Sequence, residues 1–329
     1  MTTETFPIPP RPMLSRPALV LGILGVLAII AVICFMTLGA HGNWGFVLPF
    51  RGRKLLGLLI VAYSVAVSTV LFQTVTNNRI LTPSIMGFDA LYILIQTSVV
   101  FFFGTGMLAL LNPYARFGLE VVLMIGFSAL LFRWLFLGGN RSLYLLVLVG
   151  IVFGVFFRSL SNFMQRLLDP NAFQVLQDTF FASFTQIDPT LLGISVTIVA
   201  MVSLLLWRMG HCFDVLALGR AQAISLGVDY RRSVMAVLMA VAVLVSVSTA
   251  LVGPITFFGL LVASLAHSLT GTSRHRIVLP AAVLLATVCL VGGQVLLERL
   301  FAFDTALSII IEFVGGIVFI ALVIRGAAR

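Results

Sequence analysis

The side chains that could do chemistry are few and widely separated. The histidines are His41, His211, His267 and His275, and the cysteines are Cys34, Cys212 and Cys289. None stands at a metal-ligand spacing and no CxxC pair occurs, so neither a metal site nor a disulfide framework is expected. No HExxH, GxSxG or paired catalytic carboxylates are present. A Walker A loop needs Gly-Lys to cradle phosphates, whereas the only lysine, Lys54, follows Arg53. These residues do not make an enzyme. The remaining chemistry lies in three acids within apolar surroundings, Asp89, Glu120 and Glu312. A charge at mid-bilayer costs about 2.5–3.5 kcal/mol on insertion scales, so each needs a partner or a task. Glu120 has Arg116 one helical turn earlier and can pair with it. Asp89 is expected near the inner end of its span. Glu312 is expected in the outer part of the last span, with hydrogen-bonded packing as one reading.

The elements that hold these groups are written in the hydropathy. Hydrophobic residues make up 60% of the 329, and charged residues only 9%. A soluble domain carries about 25% charged residues, so the solvent here is lipid. Ten apolar runs are long enough to span as helices: 17–38, 54–76, 84–108, 116–137, 142–165, 190–208, 231–251, 254–271, 277–297 and 306–325. The short alternating segments of a barrel are lacking. The expectation is an all-α polytopic membrane protein, one domain over 1–329, with 1–16 as a tail.

The net charge of +9 comes from arginines scattered singly between apolar runs, which argues for topology markers rather than nucleic-acid binding. With the N-terminus inside, thirteen of the twenty basic residues fall inside, Arg79, Arg208, Arg220, Arg231, Arg232, Arg274 and Arg276 among them. Arg51, Arg53, Lys54, Arg116, Arg158, Arg166 and Arg299 fall outside. The outer loop 167–190 has Asp-Pro at both ends and room for a short surface helix. "AVST" at 66–69 is echoed by "SVST" at 246–249, a weak internal repeat of the kind transporters carry.

The inner stretch 214–229 is unusual. Asp214 can cap a helix start, Gly219 interrupts the helix, and Gly227 can end the second piece in a left-handed conformation. The piece "RAQAISL" is too short to be stable alone in water, so it must dock on something, either another protein or the membrane surface. Ala221, Ala223 and Ser225 permit close approach, and Ile224 and Leu226 offer apolar anchors. Arg231 and Arg232 read as interface anchors for the next span.

"LALGRAQAISLGVD" resembles the coupling-helix segment of the FecCD family, the BtuC-like type II permeases of ABC importers for iron–siderophore chelates, haem and cobalamin. Leu218, Gly219, Ala223, Leu226, Gly227 and Val228 match its pattern. Arg51 and Lys54, then Gln73, Asn78, Pro83 and Gly87, resemble a second family motif, with departures at Gly52–Arg53 and Arg79. "GPITFFGLL" at 253–261 resembles a third, after which Ala263, Ser264 and His267 stand where the family has P-H-x-x-R. The likeness runs from about residue 15 to 325.

The resemblance implies several things. Asp214, Leu218, Gly219, Arg220, Ala223, Leu226, Gly227 and Val228 would form the coupling surface for a separate ABC ATPase dimer, which holds the ATP and Mg. This chain would bind no cofactor itself. Arg51, Arg53, Lys54 and Arg299 would dock a periplasmic or lipid-anchored substrate-binding protein. Asn140 and Ser142 would form the gate, with Ser159 and Glu312 along the path. A second copy or a sister permease would complete the channel. The cargo would be a ferric siderophore, with haem or cobalamin as the alternative. The location would be the bacterial cytoplasmic membrane, with both termini cytoplasmic. An ion-coupled secondary transporter is the competing class; it would need coupling acids near the midplane and no structured inner loop.

Overall fold

The computed structural model describes residues 16–39, 44–106, 112–137, 143–184, 187–300 and 307–327. The described regular structure is helical: α1 (Arg16–Thr37), α2 (Trp44–Thr76), α3 (Phe88–Phe103), α4 (Pro113–Leu137), α5 (Leu143–Arg166), α6 (Pro170–Gln177), α7 (Pro189–Arg208), α8 (Gly210–Leu216), α9 (Arg220–Ser225), α10 (Tyr230–Val252), α11 (Phe258–Thr270), α12 (His275–Leu300) and α13 (Leu307–Ala327). Seven of these are long and apolar enough to cross a membrane, and α3, α11 and α13 contribute shorter apolar stretches.

α2 and α10 form the hub. Two-thirds (67%) of the central window of each is buried, against 17% for α1 and 22% for α7. They pack on each other; α12 and α11 join on α2, and α4 and α7 on α10. Small side chains make this close packing possible, among them Ala62 and Ala66 on α2, Ala242 and Ser246 on α10, and Ala281, Ala282 and Ala286 on α12, all fully buried.

Two of the expected spans are not continuous. The run 84–108 begins as a single 3-10 turn, Pro83–Met86, turns at Gly87, and becomes helical only from Phe88. The run 254–271 starts with a non-helical stretch after Gly253 and is helical only over Phe258–Thr270. Proline removes an amide donor in each break, and Gly87 (φ 92) and Gly253 (φ 99) take backbone angles that a side chain disfavours. Gly87 lies so close to Gly154 of α5 that a Cβ would stand 2.9 Å from its Cα. α3 therefore starts against the middle of α5, not at the membrane edge. Outside the spans, Asp169 and Asp188 cap α6 and α7, accepting from Asn171 N (2.8 Å) and Thr190 N (2.8 Å).

Candidate functional site

At one end of the molecule, α8 and α9 make a compact platform between α7 and α10. Gly219 (φ 93) turns the chain between them. α9 ends in a Schellman arrangement: Gly227 N–H donates to Ile224 O and Val228 N–H to Ala223 O, both at 3.0 Å. The side chains divide. Leu218, Ile224 and Leu226 are more than half exposed, whereas Ala223 is fully buried under them. Ala223 thus holds the platform to the body and is not part of its outer face. Arg220 and Gly227 lie on the exposed side.

Asp214 does cap a helix, but not one in its own segment. Its Oδ1 accepts from the backbone N–H of His275 (2.9 Å) and from the ring Nδ1 (2.6 Å), so it caps α12, 61 residues away. The other ring nitrogen meets the Thr74 hydroxyl at 2.7 Å. Thr74 also lies 2.8 Å from Val70 O, so its single proton goes either to Nε2 of a neutral ring or to Val70, with Nε2–H then donating. Partial burial opposes ionisation of Asp214, but the two His275 donors and nearby Arg274 outweigh it and hold its pKa below the ordinary value of 3.8. The chain Asp214–His275–Thr74 ties the platform to α12 and α2. Arg232 pairs with the α10 cap Asp229 at 3.1 Å on the exposed surface.

At the opposite end the basic residues are mostly engaged. Lys54, 8% exposed, forms an ion pair with Glu298 at 2.7 Å, and Gln294 also donates to that carboxylate. Arg51 donates to the carbonyls of Phe35 and Leu38 (both 2.7 Å), neutralising the C-terminal end of α1. Arg299 also donates to Leu38 O, though its side chain reaches the surface. Arg53, whose Nε donates to Pro49 O at 3.1 Å, is exposed. The sequence grouped these four as one patch; the structure separates Arg53 and Arg299 at the surface from Lys54 inside.

Between the ends, the two helix breaks meet at a small cavity of about 20 Å³, room for one water-sized body. Ser68 and Thr69 of α2 face Ser248 and Thr249 of α10 across it, so the two echoes of the repeat line one site. Asp89 also lines it. It is 4% exposed, its Oδ2 has no hydrogen-bond partner, and Ser84, Thr256 and Arg158 are its polar neighbours. The sequence places Asp89 near the inner end of its span; the break at Pro83–Gly87 instead carries it to this buried cavity. Glu312, exposed on α13, lies beside the Thr256 backbone and within electrostatic reach of Asp89. Glu120 is accounted for by packing, accepting from Arg116 Nε (3.0 Å) and Gln96 (2.6 Å).

On α5, Gly150 packs on Met86 and Gly154 on Gly87. Ser161 is buried, and Arg158, Ser159 and Asn162 are exposed. Arg158, counted above with the outer residues, lies two turns before the end of α5, within the apolar run 142–165. Asn140 and Ser142 lie outside the described residues. Among the described residues, no three His, Cys, Asp or Glu side chains converge as metal ligands.

Broken helices meeting at mid-body, with a docked two-helix platform at one end, define a membrane transport permease. The model of the FecCD transport family matches residues 18–325, and the chain belongs to that family. It is 48% identical over 284 residues to the petrobactin import system permease protein YclO of Bacillus subtilis, covering 86% of this chain and 90% of that protein. It is 40% identical to the petrobactin import permease FatC of Bacillus anthracis (86% and 80% covered), and 28% identical to the vitamin B12 import permease BtuC of Photorhabdus laumondii (88% and 89%). The fold matches a solved inward-facing metal-chelate type ABC transporter with a TM-score of 0.81 at 22% identity, covering 94% of this chain and all of that one.

Proposed function

We propose that this chain is the permease subunit of an ATP-driven importer that passes a ferric siderophore from a binding protein to the cytoplasm. The observation that carries the proposal is the platform. Leu218, Ile224 and Leu226 are exposed apolar side chains on helices too short to stand alone, held from behind by Ala223 and by Asp214. That is a surface built to be pushed. A separate ATPase dimer, holding ATP and Mg, docks there, so the Asp214 end faces the cytoplasm and the Arg53 end the binding protein. ATP-driven closure moves α8 and α9, and the Asp214–His275–Thr74 chain passes the displacement to α12 and to α2, which lines the cavity at the helix breaks.

The cargo follows from the relatives. The two petrobactin permeases are 48% and 40% identical, against 28% for the vitamin B12 permease, which favours an iron chelate over cobalamin or haem. Arg158, Ser159 and Asn162 on an exposed face of a spanning helix would be costly against lipid. A second permease, identical or sister, meets this face and encloses an aqueous route with Ser159 and Glu312 along it. Asn140 and Ser142 remain the proposed gate. At the outer end, Arg53 and Arg299 supply the reachable cations for the binding protein. Exposed pairs yield only about 0.2–1 kcal/mol each, so they set encounter rate and register more than affinity.

The test is uptake of labelled ferric petrobactin by cells lacking this gene. Uptake should be lost, return with the wild-type chain, and stay absent with an Ile224→Asp, Leu226→Asp variant that inserts normally. Wild-type transport by that variant would overturn the platform as the ATPase site. Uptake unchanged by the deletion would overturn the cargo.

A further inference from the structure

A second, wider cavity lies away from the proposed route. It holds about 700 Å³ between α7 and α12, with α2 as its floor, within the range of small-ligand pockets. Tyr63 and Leu71 form the floor; Leu206, Leu279 and Val283 line the walls. From Tyr63 to Leu71 is eight helical residues, about 12 Å, close to the depth of one leaflet of a core roughly 30 Å thick. The α7 wall turns Leu204 and Leu205 outward, and Trp207 at the mouth is 80% exposed, in keeping with an aromatic ring at the membrane interface.

The Asp214 end of this cavity has a different chemistry. His211 and Arg276 line it, and exposed Arg208 and Arg274 stand beside it. The lining contains no Asp or Glu. The nearest acid along the chain, Asp214, is already bound to His275. An apolar slot of leaflet depth, with Arg276 and His211 at its rim and no acid in its lining, is complementary to one class of molecule, a lipid with an anionic headgroup.

We propose that this groove holds an anionic phospholipid, its acyl chain between α7 and α12 and its phosphate against Arg276 and His211. His275 and Phe213 also line the cavity, so the lipid borders the link between platform and α12. Occupancy braces that link, and transport is better coupled in membranes that supply the lipid. The binding site itself stands on the groove alone; the effect on coupling rests on the ATPase docking proposed above.

The test uses the assembled complex with its ATPase. Native mass spectrometry on detergent-purified complex should find retained phosphatidylglycerol. An Arg276→Gln, His211→Gln variant should retain it about tenfold less well. Leu279→Trp, which fills the slot and leaves the cations, should also displace it, so the test does not depend on one variant folding. Equal retention by wild type and both folded variants would overturn the site. Reconstituted in vesicles of phosphatidylcholine with phosphatidylglycerol in equal parts, the wild type should transport several-fold faster per ATP than in phosphatidylcholine alone, and the double variant should not discriminate. No discrimination by the wild type would overturn the coupling role. If the transport reading is wrong instead, neither vesicle supports ATP-driven uptake while lipid retention still falls in the variants.

Discussion

At the scale of the residue, two charged groups show how position decides what a side chain is for. Lys54 looks like a docking cation in the sequence, yet its ammonium is buried against Glu298. Removing one member of a buried pair leaves the other charge uncompensated, at a cost of about 3–5 kcal/mol. Lys54→Met should therefore sharply lower the thermal midpoint of the purified permease, and Lys54→Met with Glu298→Gln should recover most of it. A single variant as stable as wild type would mean the pair is not buried. Asp214 gives a second case. Asp214→Ala removes the cap of α12 and should cost about 1 kcal/mol at neutral pH. The folded-state pKa of Asp214 is lowered, so its contribution is complete above the ordinary value of 3.8 and is lost as pH falls through the lowered one. Thermal midpoints of wild type and variant should differ at neutral pH and converge in acid; a gap independent of pH would place the effect elsewhere.

At the scale of the element, the ends and breaks of helices matter more than their middles. Gly227 ends α9 at φ 81, and a Cβ there would meet nothing within 4 Å. Any cost of substitution is thus conformational, about 1–2 kcal/mol for an ordinary side chain in the left-handed region. Asn visits that region more readily, so Gly227→Asn should keep uptake coupled to ATP hydrolysis while Gly227→Val should loosen α9 and lower the uptake per ATP. Equal behaviour of the two would count against a geometric role. The seven full-length spans, the glycine hinges of the platform and the Arg116–Glu120 pair were all legible in the sequence, because each rests on local hydropathy or on residues within a turn. The broken starts of α3 and α11 were not, since Ile85 and Met86, or Ile255 and Phe257, keep the hydropathy high across the break. The partners of Asp214 and Lys54 lie 61 and 244 residues away, and no local pattern announces them.

At the scale of the whole molecule, the question is which exposed faces meet lipid and which meet protein or water. α4 exposes Leu119, Val122 and Leu123, an uninterrupted apolar stripe suited to acyl chains. α5 exposes Val155, Phe156, Leu160 and Phe163, but Arg158, Ser159 and Asn162 interrupt them. Lipid would penalise these polar groups, whereas a water-filled route between two permeases would not. Glu312 on α13 is also exposed and lies near Asp89 through Thr256. A labelling experiment separates the faces. In a background with Cys34, Cys212 and Cys289 replaced by Ala, Ser159→Cys in the assembled complex should react with a water-soluble maleimide, and Val122→Cys should not. Excess ferric chelate presented on its binding protein should slow the first reaction, because cargo in the route covers that thiol. If both positions stay silent, the α5 face is dry in every state and the route must run elsewhere. If both react at the same rate, the apolar stripe of α4 is not in lipid and the proposed arrangement of two permeases has to be redrawn.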